Sequence, residues 1–420
     1  MKASVRLEHQ LVAVEDSRDI NCMLELLAPP APSQTERRPL AVALVIDRSG
    51  SMAGRKLEVT KACASFLVDR LAADGQLAIV TYDDQVQLRA VLAAVGPNRG
   101  SLHQVIAGIS PGGQTNLSGG WLKGIETLSA VDETTTRRVL LLTDGQANIG
   151  ITDATQLAVM AGASAGDGIG TTTIGFGDGF DEDLLSGLAD AGRGGAHFAE
   201  TPDDAPGIFA QEFADLVTLV GQNVSVEIRP AWEDVAVLHV LNQFPQVPVA
   251  GGVQIQLGDA YGDERRRVVF SLHVPTLGEM GVKTVAEVIV RYVSVGATIE
   301  AHTLTLPITV NLVSADEAAA QTADAEVTEE VVVLLSARAQ EEARTLADRG
   351  DFEGAKERLS SAAAELRKTA EGSARADELL AQAETFTARS MDLDPMTYMI
   401  GRKKMTYENR LLRERKRRPE

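Results

Sequence analysis

The spacing of hydrophobic and polar residues changes along the chain, and its clearest pattern indicates an α/β region. Between about residues 40 and 220, short apolar runs alternate with segments of helical spacing. The runs at 40–46 and 139–143 are apolar throughout, as expected of strands buried on both faces of a sheet. The other predicted strands are 76–82, 86–91, 170–175 and 196–199, and the predicted helices are 56–71, 117–128, 153–165, 181–189 and 202–219. This alternation predicts a doubly wound, Rossmann-like domain, in which ligands bind outside the carboxyl ends of the strands.

The residues on either side of this region follow a period of two instead. The later strands predicted from it are 224–228, 253–257, 267–272, 285–293 and 303–313. They indicate an antiparallel β-sandwich. Short apolar bursts over residues 3–28 predict two or three more strands, and a Pro-rich linker follows them. Because these first strands have no α/β partner of their own, we expect them to join the sandwich, with the α/β domain inserted between them and the rest.

The last quarter of the chain is rich in Ala, Glu, Leu and Arg at helical spacing. Helices are expected at 342–350 and 352–366, and together they would form a helical hairpin. The sequence contains no second copy of this hairpin pattern, which argues against an array of repeats. From Arg402 onward, nine Lys or Arg residues accompany three Asp or Glu. This tail is either a docking helix or a solvated run. The predicted organisation is 1–35 for the N-terminal strands and linker, 36–221 for the α/β domain, 222–313 for the sandwich, 314–392 for the helical hairpin region, and 393–420 for the basic tail.

Composition narrows the classes of function. The formal net charge of −19 would repel phosphate backbones, and an aromatic content of 4% leaves few platforms for stacking bases. Nucleic-acid binding is therefore not expected, except through the basic tail. Two cysteines, Cys22 and Cys63, do not make a disulfide scaffold. The N-terminus lacks an apolar signal region and no stretch approaches the roughly 20 apolar residues of a membrane span, so we predict a cytoplasmic protein.

Three polar segments lie where the α/β pattern places strand ends and loops. The first buried strand ends in Asp47-Arg48-Ser49-Gly50-Ser51. Gly112-Gly113-Gln114-Thr115 precedes the helix predicted at 117–128, and Thr143-Asp144-Gly145 ends the strand predicted at 139–143. These segments converge at the edge of the sheet where ligands bind.

In their order and context, the three segments resemble the metal-ion-dependent adhesion site of the von Willebrand factor A family, which also occurs in integrin I domains. The resemblance covers about residues 40–220, under half of the chain. It implies that Asp47, Ser49, Ser51, Thr115 and Asp144 form a Mg²⁺ site, with Mn²⁺ as an alternative ion. It also implies that Asp47 and Asp144 commonly act through water.

The chemistry of the residues agrees with that implication. Mg²⁺ takes six oxygen ligands in octahedral geometry and gives up its water reluctantly. The hydroxyls of Ser49, Ser51 and Thr115 are neutral oxygens and leave the ion only partly neutralised. An open sixth position suits an Asp or Glu carboxylate from outside.

The resemblance thus implies a binding module rather than an enzyme, acting as an adaptor or scaffold on an acidic residue of a protein partner. Intracellular relatives often work with AAA+ ATPases or in multiprotein complexes. In integrin-like members the last helix of the domain shifts when the metal gains a ligand, which makes the helix predicted at 202–219 a candidate relay.

Plainer interpretations exist for each segment. The segment from Asp47 to Ser51 could form a turn that caps the helix expected near Lys56. Thr115 could cap the next predicted helix, and Asp144 could be an ordinary turn residue. Two other functions compete with metal-dependent binding. One is a scaffold with a vestigial metal site that binds through its helical region and tail. The other is a metal-dependent phosphoester hydrolase with Asp47 as base or nucleophile. The sequence has no Lys or His placed as an acid for such an enzyme, which argues against this function.

Other chemistry-bearing residues receive structural interpretations. Asp83 and Asp84 are expected in a hairpin turn, and His197 in a strand beside the sheet. The acidic run from Asp178 to Asp183 lacks the spacing of a calcium-binding EF-hand loop and is interpreted as an acidic helix N-terminus. The histidines do not cluster with cysteines or carboxylates at zinc spacing.

Overall fold

A computed structural model of the chain describes residues 1–31, 38–132, 134–144, 146–177, 179–199, 201, 204–295 and 300–393, together with Tyr398, Arg402, Met405, Thr406, Asn409, Leu412, Lys416 and Arg417. Most of the predicted basic tail, the linker residues 32–37 and Asp178 therefore lie outside the described residues. The chain divides into two compact units: one combines Pro32–Leu219 with Val295–Thr298, and the other combines Met1–Ala31, Val220–Ser294 and Ile299–Glu420.

The described elements follow one another in a mixed order. They are β1 (Lys2–Leu7), β2 (Leu11–Ala13), β3 (Arg18–Leu27), β4 (Leu40–Asp47), α1 (Arg55–Arg70), β5 (Gln76–Tyr82), β6 (Val86–Ala94), α2 (Val95–Ala107), α3 (Leu117–Ser129), β7 (Thr136–Thr143), α4 (Ala154–Gly166), β8 (Ile169–Phe176), α5 (Glu182–Ala191), β9 (Arg193–Ala199), α6 (Ala205–Val217), β10 (Leu219–Pro230), β11 (Ala236–Val240), β12 (Gln246–Val249), β13 (Gly252–Tyr261), β14 (Arg265–Val274), β15 (Gly281–Ser294), β16 (Glu300–Val313), α7 (Ala315–Ala319), α8 (Ala325–Asp348), α9 (Phe352–Ala370), α10 (Ala376–Asp392) and β17 (Lys416–Arg417). A 3-10 turn, Gly50–Met52, lies between β4 and α1.

The α/β unit is built on a six-stranded sheet in the order β6-β5-β4-β7-β8-β9. Its strands are parallel except for β6, which forms an antiparallel edge with β5. Every residue of β4 and β7 is buried, as predicted for the apolar runs 40–46 and 139–143, and burial extends to Arg137 and Arg138 at the start of β7. Chain order reverses at β4, which pairs with both β5 and β7, so the carboxyl ends of β4 and β7 border the crevice where doubly wound sheets bind ligands.

Two layers of helices cover this sheet and complete its core. One apolar layer includes Leu67 of α1, Leu102 of α2 and Phe209 of α6. The opposite layer includes Trp121 of α3 and Leu188 of α5. The predicted doubly wound α/β fold is confirmed. Helix α2 was not predicted, because its two glycines and one proline weaken the helical signal.

The other unit contains two sheets that share an apolar core. Their orders are β1-β3-β14-β11, with β17 on β14, and β12-β13-β10-β15-β16-β2. Cys22 of β3, Val226 of β10 and Phe270 of β14 are fully buried in the core between them. The short strand β2 runs parallel to β16, although the sandwich was expected to be antiparallel. A period of two indicates which side chains face inward, but it does not specify the direction of a neighbouring strand.

Helices α7 to α10 follow the last long strand. Helix α8 begins after Asp324, whose carboxylate accepts hydrogen bonds from the N–H groups of Glu326 and Val327. Asp351 caps α9 in the same way, by accepting a hydrogen bond of 2.9 Å from the Gly354 N–H. The structure contains a third helix, α10, which the predicted hairpin did not include. Within the described part of the chain, none of the helices combines the length and hydropathy required to cross a bilayer.

Candidate metal centre

Asp47, the last residue of β4, is fully buried at the carboxyl end of the sheet. Its Oδ1 accepts a hydrogen bond of 2.8 Å from the Ser49 N–H, and its Oδ2 accepts one of 2.6 Å from the Thr143 hydroxyl. Burial raises the pKa of Asp47, and the negative charge of Asp144 raises it further, against the opposing effect of these hydrogen bonds. The carboxylate therefore lies in an environment that favours a nearby positive charge.

Ser49, Ser51 and Asp144 form a continuous chain of oxygen atoms beside Asp47. The two serine hydroxyl oxygens are 3.1 Å apart, and the Ser51 hydroxyl donates to Asp144 Oδ1 over 2.8 Å. Asp144 follows β7, and its side chain is fully buried. Four of the five predicted residues are thus brought together through direct contacts or through the electrostatic interaction of the two carboxylates.

Thr115, the fifth predicted residue, lies in a loop that is tied to the β4 end by its backbone. The N–H of Gly112 donates to the Arg48 carbonyl oxygen over 2.6 Å, and the N–H of Gly50 donates to the Gly113 carbonyl oxygen over 2.9 Å. Thr115 is 4% exposed in this loop. Its hydroxyl oxygen is a neutral oxygen ligand of the type that Mg²⁺ accepts.

The plainer interpretations as helix caps do not match the geometry. Helix α1 is capped by Gly54, at φ 81°, without a side-chain hydrogen bond, and the Ser49 side chain caps nothing. Helix α3 is capped by Asn116, which accepts from the Gly119 N–H over 3.0 Å, so Thr115 is not the cap. Only the turn-like bond from the Ser49 N–H to Asp47 fits the simpler interpretation of the first segment.

Asp83, expected only in a hairpin turn, connects the loops around the site. Its carboxylate accepts hydrogen bonds from the N–H groups of Gln85 and Gly113, at 2.9 and 3.1 Å. It also forms an ion pair with the Arg48 guanidinium at 2.7 Å. Burial alone would raise the pKa of Asp83, but these hydrogen bonds and the Arg48 charge outweigh it and lower the pKa. The guanidinium of Arg48, the residue after Asp47, is thereby engaged by Asp83.

Two further residues support the site and were not predicted. Asn148 Oδ1 accepts from the Thr115 N–H over 2.9 Å and so orients that loop. Lys56, near the start of α1, places its Nζ 2.5 Å from Asp144 Oδ2. The sequence places no Lys or His as an acid for a hydrolase, and this pairing of Lys56 with Asp144 was not anticipated from it. A basic residue in the first turn after the Asp-x-Ser-x-Ser segment is the signal that points to Lys56.

The residues present fit a small, hard cation. Two buried carboxylates and three hydroxyls supply only oxygen donors, the type that Mg²⁺ prefers. The neighbouring negative charges of Asp47 and Asp144 agree with such an ion. Clusters of three or more His, Cys, Asp or Glu that could hold a metal do not occur among the described residues.

The other polar residues singled out from the sequence have structural roles. Asp181 caps α5 by accepting from the Leu184 N–H over 3.0 Å, as expected of an acidic helix N-terminus. His197 lies in β9, as predicted, and its Nε2 is 3.0 Å from Glu212 Oε2 of α6. Cys22 and Cys63 are buried free thiols, and burial raises the pKa of Cys63 to about 12.

Comparisons with known proteins agree with this architecture. Residues 41–211 match the family model of the von Willebrand factor type A domain. The chain is 28% identical over 348 residues to the uncharacterized protein sll0103 of Synechocystis sp., a match that covers 80% of this chain and 81% of that protein. It is 27% identical over 198 residues to the uncharacterized protein YfbK of Escherichia coli, but spans only 34% of its length.

A solved structure extends the likeness to nearly the whole chain. The von Willebrand factor type A protein from Catenulispora acidiphila superposes with a TM-score of 0.72 at 17% identity, covering 98% of this chain and 96% of that one. At this identity, the likeness establishes a shared fold. The family match, the order of the sheet and the positions of the strand-end residues lead to one conclusion. Residues 41–211 are a von Willebrand factor type A domain.

Proposed function

We propose that this domain is a Mg²⁺-dependent protein-interaction module that binds an acidic residue of a partner. The ion, for which Mn²⁺ can substitute, would be held by Asp47, Ser49, Ser51, Thr115 and Asp144. The observation that carries the proposal is the convergence of two buried carboxylates and the serine hydroxyls at the carboxyl ends of β4 and β7. That crevice is where doubly wound sheets bind their ligands.

The side chains divide the work between holding the ion and fixing the loops. Ser49, Ser51 and Thr115 would supply neutral hydroxyl ligands, while Asp47 and Asp144 supply the negative charge around them. When bound, the ion would supply a Lewis-acidic position for an incoming carboxylate. Asp83 and Asn148 hold the Thr115 loop against the end of β4 through the hydrogen bonds described above. Removal of such supporting contacts typically weakens metal affinity by about 10–100-fold.

The carboxylate partner follows from charge. Neutral hydroxyl ligands leave a divalent ion underneutralised, so an Asp or Glu side chain completes the site better than a neutral group. This also explains how an acidic chain, with a net charge of −19, attracts an acidic ligand. We expect the module to act as an adaptor or scaffold, and an AAA+ ATPase or a multiprotein complex is the kind of partner that the family suggests.

Affinity purification of the full chain in Mg²⁺ and in EDTA tests the proposal. Proteins retained in Mg²⁺ should be lost in EDTA and lost equally with Asp47→Asn or Thr115→Ala. Asp74→Asn is the matched control, because Asp74 is exposed in the turn after α1 and should retain the same proteins. If the same partners bind with and without EDTA, the metal is not used and the chain is a scaffold that binds elsewhere. Turnover of a phosphoester that requires Asp47 would instead favour the hydrolase.

A further inference from the structure

Lys56 places a positive charge directly on the candidate metal site. Its Nζ lies 2.5 Å from Asp144 Oδ2, while Oδ1 of the same carboxylate accepts from Ser51. The stem of Lys56 passes beside Gly177, where a Cβ would lie 3.5 Å from the lysine Cε. Both oxygens of the buried Asp144 are therefore engaged, one by a hydroxyl and the other by an ammonium group.

Helix stability does not account for a lysine at this position. Lys56 is the second residue of α1, where the helix dipole disfavours positive charge. Lys61 of the same helix, by contrast, makes an ordinary surface pair with the exposed Glu58. A buried carboxylate left without a cation is costly, and Lys56 supplies that cation for Asp144.

We propose that Lys56 is an internal competitor of the metal ion, whose ammonium group holds the place of a cation on Asp144 and weakens divalent binding. The proposal rests on the function proposed above. The lysine side chain is 31% exposed, so it has a path into solvent when an ion arrives. If Lys56 leaves, the ion must first break the ion pair between Lys56 and Asp144. If Lys56 stays, its ammonium group repels the bound ion.

The charges of the site give this competition a consequence. Because the neutral hydroxyl ligands leave a divalent ion only partly neutralised, a retained Lys56 increases the excess of positive charge at the occupied site. An incoming carboxylate would remove that excess. Lys56 would therefore make metal binding weak in the free domain and stronger when the partner's carboxylate is present.

Mg²⁺ titration by calorimetry into the full chain tests the proposal. Lys56→Gln removes the charge but retains hydrogen-bonding capacity, and should bind Mg²⁺ roughly fivefold more tightly than the wild type, the order expected for one partly exposed ion pair. Lys56→Arg keeps the charge, and Lys61→Gln removes a lysine from the same helix away from the site. Both controls should stay within about twofold of the wild-type Kd.

Thermal melting supplies a readout that does not require a bound metal. In EDTA, Lys56→Gln should lower the melting temperature of the wild type but not that of an Asp144→Asn background, because the pair is already lost there. Added Mg²⁺ should raise the melting temperature of Lys56→Gln more than that of the wild type.

The outcomes separate the two proposals. Equal or weaker Mg²⁺ binding by Lys56→Gln, compared with Lys61→Gln, overturns the role of Lys56 and leaves the metal site standing. A wild type that does not bind while Lys56→Gln binds supports strong competition. Absence of Mg²⁺ binding in every variant, including Lys56→Gln, overturns both proposals.

Discussion

Gly112 illustrates how closely the loops around the candidate metal site are fitted. A Cβ at this position would overlap the Asp83 carboxylate and also approach the Arg48 guanidinium at 3.0 Å. The same carboxylate positions the Gly113 N–H and pairs with Arg48. A change of one methyl group at Gly112 would therefore displace the residue that holds the two loops together.

We predict that Gly112→Ala lowers the free energy of unfolding by about 1–3 kcal/mol, the usual cost of overpacking, and weakens Mg²⁺ binding. Gly162→Ala is the matched control. Gly162 lies inside α4 with nothing within 4 Å of its would-be Cβ, so alanine there should stabilise the protein by about 0.5–1 kcal/mol. Calorimetric melting of both variants measures the difference. Equal stability of the two variants would show that the Asp83 contact does not constrain the loop.

Glu212 is a second residue whose chemistry is decided by its surroundings. It is buried on α6, where its carboxylate accepts a hydrogen bond of 2.6 Å from the Thr172 hydroxyl. The same carboxylate lies 3.0 Å from His197 Nε2. Burial alone would raise the pKa of Glu212, but the bond from His197 and the charges of His197 and Arg138 outweigh it and lower the pKa. A group with a lowered folded pKa stabilises the fold above its unfolded pKa and loses that effect as the pH falls through the folded value.

We therefore predict that the wild type loses stability on acidification below about the ordinary glutamate pKa of 4.5, partly through Glu212. Glu212→Gln should cost about 1.5–3 kcal/mol at neutral pH and flatten this acid dependence. Glu126→Gln, an exposed change on α3, should leave both unaffected. Melting temperatures across pH 3–7 provide the measurement, and parallel curves for the wild type and Glu212→Gln would argue against the interaction.

At the scale of elements, α6 is held to the sheet by the same contacts. Glu212 links this helix to β8 through Thr172 and to β9 through His197. Phe209, also on α6, is buried in the apolar layer with α1 and α2. The sequence singled out this last helix of the domain as a candidate relay of ligand occupancy. A shift of α6 along its axis would have to break these contacts together, so Glu212 is the position at which such a relay would be opposed.

That relay has a direct test. If occupancy of the metal site moves α6, amide hydrogen exchange in residues 205–217 should change when Mg²⁺ and a glutamate-containing peptide are added, and Glu212→Gln should enlarge the change. The unrelated helix α4 provides an internal reference. Identical exchange of α6 with and without the ion and peptide would contradict the relay.

The elements also show which sequence patterns are informative. The strand that ends in Asp47 and the strand that precedes Asp144 could be predicted because each contains an unbroken apolar run, as complete burial favours. Since parallel strands end at one edge of the sheet, their following residues were expected to meet there. The contact between Lys56 and Asp144 could not be predicted in the same way. It depends on how far one flexible side chain reaches from the first turn of α1.

Elements with weak local signals escaped prediction for physical reasons. Helix α2 contains Gly96, Pro97 and Gly100, and β12 is short and contains Pro248. Helix α10 lies inside the region predicted to be helical, but the predicted hairpin did not include it as a third helix that packs against α9. Asp83 looked like a turn residue because its neighbours are local, whereas its partners Arg48 and Gly113 are distant in sequence.

At the scale of the whole chain, the unit outside the metal site joins its helices to its strands through buried charges. Glu330 of α8 is fully buried. It accepts a hydrogen bond of 3.3 Å from Arg267 of β14 and one of 2.8 Å from Arg375, the residue before α10. Removing one partner from such a group leaves other charges buried without compensation. Glu330 thus connects a strand of the sandwich with two helices.

We predict that Glu330→Gln destabilises this unit by about 3–5 kcal/mol, whereas Glu353→Gln, an exposed change on α9, has little effect. Limited proteolysis should then cleave the helical region of Glu330→Gln faster than that of the control. Mg²⁺ binding should stay unchanged in both variants, because the site lies within the other unit. Equal cleavage of the two variants would show that the buried charges do not hold the helices.

The central claim is that a divalent ion binds at the carboxyl ends of β4 and β7. Calorimetric titration of Mg²⁺ into the metal-free full chain tests it most directly, with Ser51→Ala, Asp144→Asn and Asp74→Asn measured in parallel. We predict saturable binding to the wild type and to Asp74→Asn, and binding at least about tenfold weaker to the other two variants. Equal Mg²⁺ affinities in all four proteins would contradict this assignment of the site.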